Sequence, residues 1–172
     1  RTCQAAARGG HLACLKYAHE NGCPWKRKGK TSRLEDTEWI SVSAACAPTV
    51  DCLKYVVECG APVRKEAVNR AAGANCVDSL EFLHSLGCLW DASTCKEAVR
   101  EGAIESLRYL HERGCPWDEK VSEMAWSVRH NRIKYTFGSS LWKKGLGLCM
   151  EYLKEHNCPG ANKYQLVVGH SL

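Results

Sequence analysis

Along residues 12–20 the apolar positions Leu12, Cys14, Leu15, Tyr17 and Ala18 fall at helical spacing over an arc too wide for one stripe. Only a narrow polar edge remains, at Lys16 and Glu20. A helix of this kind is buried on its inner side and on both flanks, so it needs a neighbour before it and another after it. The pattern recurs in five segments that align without gaps, beginning at Cys14, Cys52, Ser79, Ser106 and Cys149. They end at Gly22, Gly60, Gly87, Gly114 and Asn157. Gly60, Gly87 and Gly114 are evenly spaced, whereas the intervals from Gly22 to Gly60 and from Gly114 to Asn157 are longer. The even interval sets a repeat unit of about 27 residues, within the range of stacked helical repeats. The longer intervals hold insertions at about 26–36 and 134–147.

Glycine and asparagine are the residues that enter the left-handed conformation most cheaply, so each segment is predicted to end in an αL cap. Pro24, Pro62, Pro116 and Pro159, two residues past the cap, prevent the helix from resuming. Ahead of each such helix lies a shorter one rich in small residues, at Ala5-Ala6-Ala7, Ala44-Ala45, Ala71-Ala72 and Ala98-Val99, which permits close packing. The expected fold is all-α: antiparallel helix pairs joined by short turns and stacked in a single array over residues 1–172. Residues 161–172 read as the start of a partial sixth unit. The chain opens at Arg1 without an initiator methionine, which suggests a fragment or processed chain in a longer array.

The run Ala6-Ala7-Arg8-Gly9-Gly10-His11-Leu12, followed by Cys14-Leu15-Lys16-Tyr17 and Asn21-Gly22-Cys23, resembles the core and terminal glycine of ankyrin repeats. Gly114-Cys115-Pro116-Trp117-Asp118 is similar to a shortened ankyrin-like class with Gly-Cys-Pro-Trp-Asp repeat ends. Two features depart from the usual pattern: no Thr-Pro-Leu-His opens the first helix of a pair, and the unit is about six residues short of the ankyrin period. The projecting hairpin of that family is expected to shrink to a turn. The resemblance implies an ankyrin-like solenoid that recognises protein through its concave side and loops, without a cofactor.

Composition narrows the function. With 45% apolar residues in 172 the chain can bury a core. It lacks the run of about 18 apolar residues that a membrane span requires, so no membrane insertion is expected. Twelve cysteines would suggest a disulfide scaffold, yet Cys23, Cys88, Cys115 and Cys158 repeat with the unit. Stacked helices lie about 8–10 Å apart, beyond the roughly 7 Å that a disulfide spans between Cα atoms. Reduced thiols and an intracellular setting follow, with cytoplasm, nucleus and an organelle-bound assembly left open.

Candidate chemistry is sparse. His19, His84 and His111 precede Cys23, Cys88 and Cys115 by four residues, but paired CxxC spacing is missing and other units carry Val57 or Lys154, so no metal is expected. Gly29-Lys30-Thr31 echoes a phosphate loop whose first glycine is replaced by Pro24. No enzyme activity, catalytic residue or small-molecule substrate is predicted. Trp25, Trp90 and Trp117 recur just past the cap and read as packing between neighbouring units.

The surface is more informative. Exposed edges of the longer helices carry Glu20, Asp51, Glu58, Asp78, Glu81, Glu105, Glu112, Glu151 and Glu155 against Lys16, Lys54 and Arg108. Helical spacing puts Arg8, Arg70, Lys96, Arg100, Trp126 and Arg129 on the open side of the shorter helices, with Glu97 as a negative exception. Lys26, Arg27, Lys28, Lys30 and Arg33 in the first insertion extend the positive set. The second insertion brings Tyr135, Phe137, Leu141 and Trp142, either folded back over the array or anchoring a neighbour. Arg8, Arg70, Lys96, Arg100, Trp126 and Arg129, with the basic residues of the first insertion, are the expected contact surface of a non-catalytic interaction module for a protein partner with an acidic face, in a scaffold role. The alternative is an RNA-contacting subunit of a ribonucleoprotein particle, which the net charge of +5 favours.

Overall fold

The computed structural model describes residues 2–23, 39–130 and 140–163. Among these, ten α-helices and no strand are present. They are α1 (Thr2–Arg8), α2 (Leu12–Glu20), α3 (Ile40–Ala45), α4 (Asp51–Glu58) and α5 (Lys65–Gly73), then α6 (Val77–Ser85), α7 (Ala92–Glu101), α8 (Ile104–Glu112), α9 (Glu119–His130) and α10 (Ser140–Glu155). The all-α expectation holds for the described residues.

The chain divides into two compact units, residues 1–71 with 76–89, and residues 72–75 with 90–172. In the first, α1 packs on α2 and on α3, while α4 packs on α3 and on α2. In the second, α7 packs on α8 and on α9, and α10 packs on α7, α8 and α9. Each unit thus contains two adjacent helix pairs, with first helices side by side and second helices side by side.

Sequence explains where the second helices stop. Gly22, Gly60 and Gly87 have φ of 78°, Gly114 has 77°, and Asn157 has 50°. At each, two hydrogen bonds close the helix. The Cys23 amide donates to the Ala18 carbonyl at 2.9 Å and the Gly22 amide to His19 at 2.9 Å. The same pair recurs from Ala61 and Gly60, Cys88 and Gly87, Cys115 and Gly114, and Cys158 and Asn157. This pair of hydrogen bonds is the Schellman motif, in which the residue after the αL position packs against the last helical turn. That packing accounts for the periodic cysteines: each is the small apolar residue the motif needs there, with Cys115 and Cys158 each 3% exposed.

A Cβ on Gly114 would meet nothing within 4 Å, so Gly114→Val tests conformation alone. We expect a loss of about 1–2 kcal/mol from the left-handed strain, and a much smaller loss for Gly114→Asn. Equal melting temperatures for wild type and the valine variant would contradict the cap assignment.

The first helices end by the same device. Gly10, Asn75 and Gly102 have φ of 72°, 59° and 71°, and the residue after each donates back to Ala6, Ala71 and Ala98. In the fifth repeat Arg129 stands at this place, and there α9 continues to His130. Of the small residues anticipated for close packing, Ala7, Ala44, Ala45, Ala71, Ala72, Ala98 and Val99 are at 0% exposure and Ala6 is at 7%, whereas Ala5 is exposed.

The second insertion differs from the reading of it as a segment between two helices. From Ser140 onward it is helix, so α10 is 16 residues long where its counterparts have eight or nine. The extension crosses the end of α7: Trp142 Nε1 donates to the Arg100 carbonyl at 3.2 Å, and Gly145 lies against the Gly102 carbonyl. Trp142 is folded back against its own unit, whereas Leu141 is 77% exposed. Tyr135, Phe137, the basic residues of the first insertion, Trp25 and most of the partial sixth unit lie outside the described residues.

Candidate functional site

The residues named as a contact surface fall into different environments. Arg8 and Arg70 of the first unit are exposed. In the second unit Lys96 is half-buried, and Arg100 is committed to carboxylates, its Nη2 lying 2.6 Å from Glu97 and its Nε 3.1 Å from Glu101. Arg129 is half-buried and turns toward α10, with Nη1 3.9 Å from Met150 Sδ. Trp126 is 39% exposed and stacks on His130 with ring centroids 4.3 Å apart. Its counterparts one and two repeats earlier, Val99 and Ala72, are fully buried. Lys26, Arg27, Lys28, Lys30 and Arg33 lie outside the described residues.

All nine acidic residues of the longer helices' edges are exposed. The three basic ones on those edges have a role that sequence alone did not suggest. Lys16 Nζ lies 5.4 Å from the Tyr55 ring centre, Lys54 Nζ 5.9 Å from Phe82, and the Arg108 guanidinium 5.5 Å from Tyr152. Each cation sits six residues before its cap and covers an aromatic ring five residues before the next cap. Such contacts contribute about 0.5–1 kcal/mol when exposed. The signal was present in the alignment, where Tyr17, Tyr55, Phe82, Tyr109 and Tyr152 occupy one position.

Histidines join the same rings. His19 Nδ1 is 3.0 Å from the Tyr55 hydroxyl, and His111 Nδ1 is 3.0 Å from the Tyr152 hydroxyl. His111 also stacks on Trp117, with centroids 3.8 Å apart at 18°, and lies 5.1 Å from the His156 ring. Trp90 meets Tyr109 edge to face at 6.2 Å. Trp90 and Trp117 are therefore ring partners of neighbouring tyrosines, as packing between successive repeats requires.

Burial lowers the pKa of His111, and the neighbouring His156 lowers it further, with Glu112 opposing. A depressed folded-state value means the unfolded chain binds a proton first as pH falls from the ordinary value of 6.5. The stabilisation is whole above that value and is lost as pH drops through the folded pKa. Urea midpoints should fall between pH 7.5 and pH 5, and His111→Gln should flatten that fall. An unchanged slope in the variant would remove His111 as a cause.

The thiols are closer together than the spacing of successive units suggested. Within one unit, the Cys95 Sγ lies 3.3 Å from Cys115 Sγ, and Cys115 Sγ lies 3.4 Å from the Asp91 carbonyl. Here, within the fourth repeat, the cap cysteine meets a first-helix cysteine, whereas Val68 and Ser122 stand at the place of Cys95 in the third and fifth repeats. All are free thiols in the structure. The Cys95 thiol is pushed far up by its hydrogen bond with Cys115 and by burial. Burial raises Cys149 to about 12, and burial with its hydrogen bond to Cys23 raises Cys3 to about 12. A thiol held protonated is a poor nucleophile and a poor metal ligand.

Among the described residues, no three His, Cys, Asp or Glu side chains are grouped so as to hold a metal ion. Nor is any helix there long and apolar enough to cross a membrane. No protein family matches the chain, and no curated protein matches it.

Proposed function

We propose that each unit is a segment of an ankyrin-like solenoid, and that the chain is a non-catalytic interaction module holding a protein with an acidic contact surface. The observation that carries this reading is the five-fold recurrence of one doubly hydrogen-bonded αL cap at matching sequence positions. Repeats of this kind spend their apolar surface on one another and leave extended polar faces for recognition. The exposed second-helix edges are acidic, while Arg8 and Arg70 stand exposed on first helices. That separation steers an anionic surface toward the first helices.

Arg8, Arg70 and Lys96 are the discriminating set, because reversing Arg100 would disturb its two carboxylate partners instead. Exposed ionic contacts contribute about 0–1 kcal/mol each, so reversal of all three to glutamate should weaken partner capture about tenfold or more. Neutralising Glu81, Glu105 and Glu112 should leave capture intact. The assay is affinity purification from the native source with and without nuclease. Normal capture by the folded triple variant would refute the reading, and nuclease-sensitive capture with steep salt dependence would replace it with RNA contact.

A further inference from the structure

The residue directly after the second-helix cap is Cys23, Ala61, Cys88, Cys115 or Cys158 in the successive repeats. The first-helix residue that stands at the place of Cys95 is Cys3, Ser41, Val68 or Ser122 in the other four. Valine or serine fills that place well enough to be covered, since Val68 is 1% exposed and Ser122 0%. Cysteine occupies it in the first and fourth repeats, and in both the residue after the cap is cysteine too. Packing accounts for each cysteine singly and leaves their pairing unexplained.

In the fourth repeat the two thiols touch. Cys95 on α7 is 0% exposed, and Cys115, just past the α8 cap, is 3% exposed. Cys95 Sγ donates to Cys115 Sγ at 3.3 Å, and Cys115 Sγ donates to the Asp91 carbonyl at 3.4 Å. A disulfide holds its sulfurs at about 2.05 Å, so an approach of little more than about 1 Å would close one. Both backbones are fixed: Cys95 lies inside the ten-residue α7, and the Cys115 amide is bonded to the Leu110 carbonyl at 2.8 Å. The bond would join residues 20 apart in the chain and enclose all of α8.

We propose that Cys95 and Cys115 are a reversible redox pair, oxidised to a disulfide by a hydroperoxide and reduced by an external dithiol, which locks α7 to the end of α8. Cys95 is held protonated by its bond to Cys115 and by burial. Cys115, the acceptor of that bond and the less deeply buried of the two, therefore reacts first. Its sulfur attacks the terminal oxygen of ROOH, the O–O bond breaks, and the Cys115 proton leaves with ROH, so that Cys115 becomes a sulfenic acid. The Cys95 sulfur then attacks the Cys115 sulfur. The S–O bond breaks, and the Cys95 proton leaves with the hydroxide as water. Two electrons have passed from the thiols to the peroxide. An external dithiol reverses the step by exchange, returning both protons to the cysteines and becoming a disulfide itself.

The test treats the full, reduced chain with hydrogen peroxide under native conditions, alkylates it, digests it without reduction and maps the peptides by mass. The expected product joins Cys95 to Cys115 with loss of two hydrogens and is undone by dithiothreitol. It should raise the thermal unfolding midpoint by at least about 5 °C, because closing a loop of this length constrains the unfolded chain. Cys95→Val, which installs the residue of the third repeat, should instead accumulate a Cys115 sulfenic acid that dimedone traps. Cys115→Ala, which installs the residue of the second repeat, should leave Cys95 unreacted. Three results on the unmutated chain would overturn the proposal. They are Cys95 and Cys115 both still alkylated after unfolding while the exposed Cys14 and Cys59 are oxidised, Cys115 joined to a different cysteine, or a Cys95–Cys115 bond that leaves the midpoint unchanged.

Discussion

Gly145→Val is expected to destabilise the second unit by about 3 kcal/mol, the upper range for overpacking. A Cβ at Gly145 would overlap the Gly102 carbonyl, and one at Gly102 would stand 2.9 Å from the Leu146 amide nitrogen and 3.0 Å from the Trp142 carbonyl oxygen. Both partners in this crossing are backbone, so no side-chain rotation relieves the overlap. α10 would have to move away from the end of α7, losing the Trp142 bond to Arg100 and exposing Leu146, now 5% exposed. For a unit of this size the loss corresponds to roughly 12–24 °C in melting temperature. Gly147 supplies the control in the same helix: nothing lies within 4 Å of its virtual Cβ. Gly147→Ala should be neutral or raise stability by about 0.5–1 kcal/mol through helix propensity. Similar behaviour of the two variants would show that α10 does not cross α7 at Gly102.

Trp117→Ala should cost about 3 kcal/mol, the lower end of the range for buried tryptophan because this ring is only half-buried. It stacks on His111 and meets Tyr152 at 6.3 Å, so truncation removes the cover from both. In a double-mutant cycle, Trp117→Ala and His111→Ala should show a coupling of about 0.5–1.5 kcal/mol. Trp126→Ala is the counterpart. With 39% exposure and His130 stacked upon it, it should cost less than about 1 kcal/mol. Denaturant unfolding measures all three. A Trp117→Ala loss no larger than the roughly 0.5 kcal/mol of an ordinary surface substitution would mean the ring does not stitch α8 to α10.

Features that one residue decides were open to sequence reasoning. The αL caps at Gly22, Gly60, Gly87, Gly114 and Asn157 follow from which residues tolerate positive φ, and the alanine-rich first helices follow from the small side chains of a crowded interface. The second set of caps carries the same signal at Asn75 and Gly102, one repeat apart, on the shorter helices. That the second insertion is helical from Ser140 onward was not legible in the sequence, because Gly145 and Gly147 each weaken a helix by about 1 kcal/mol on propensity. Packing of α10 along α7, α8 and α9 outweighs that local cost.

The candidate contact surface divides along the same line. Exposure of Arg8 and Arg70, and of all nine acidic residues, follows from helical periodicity and the burial of the opposite side. The Arg100–Glu97 pair is a local i, i+3 relation and was visible as such. By contrast, Arg129 meets Met150 from 21 residues away, and His19 and His111 reach tyrosines 36 and 41 residues on. By itself, the sequence determined the all-α class of the described residues, the repeat and the caps, because each rests on backbone conformation or on side-chain periodicity within a few turns. Only the tertiary structure decided which ring each cation and histidine covers, which arginines are already paired, and which thiols face each other. Those choices depend on how insertions of different length bring distant helices side by side, and no local conformational preference encodes that distance.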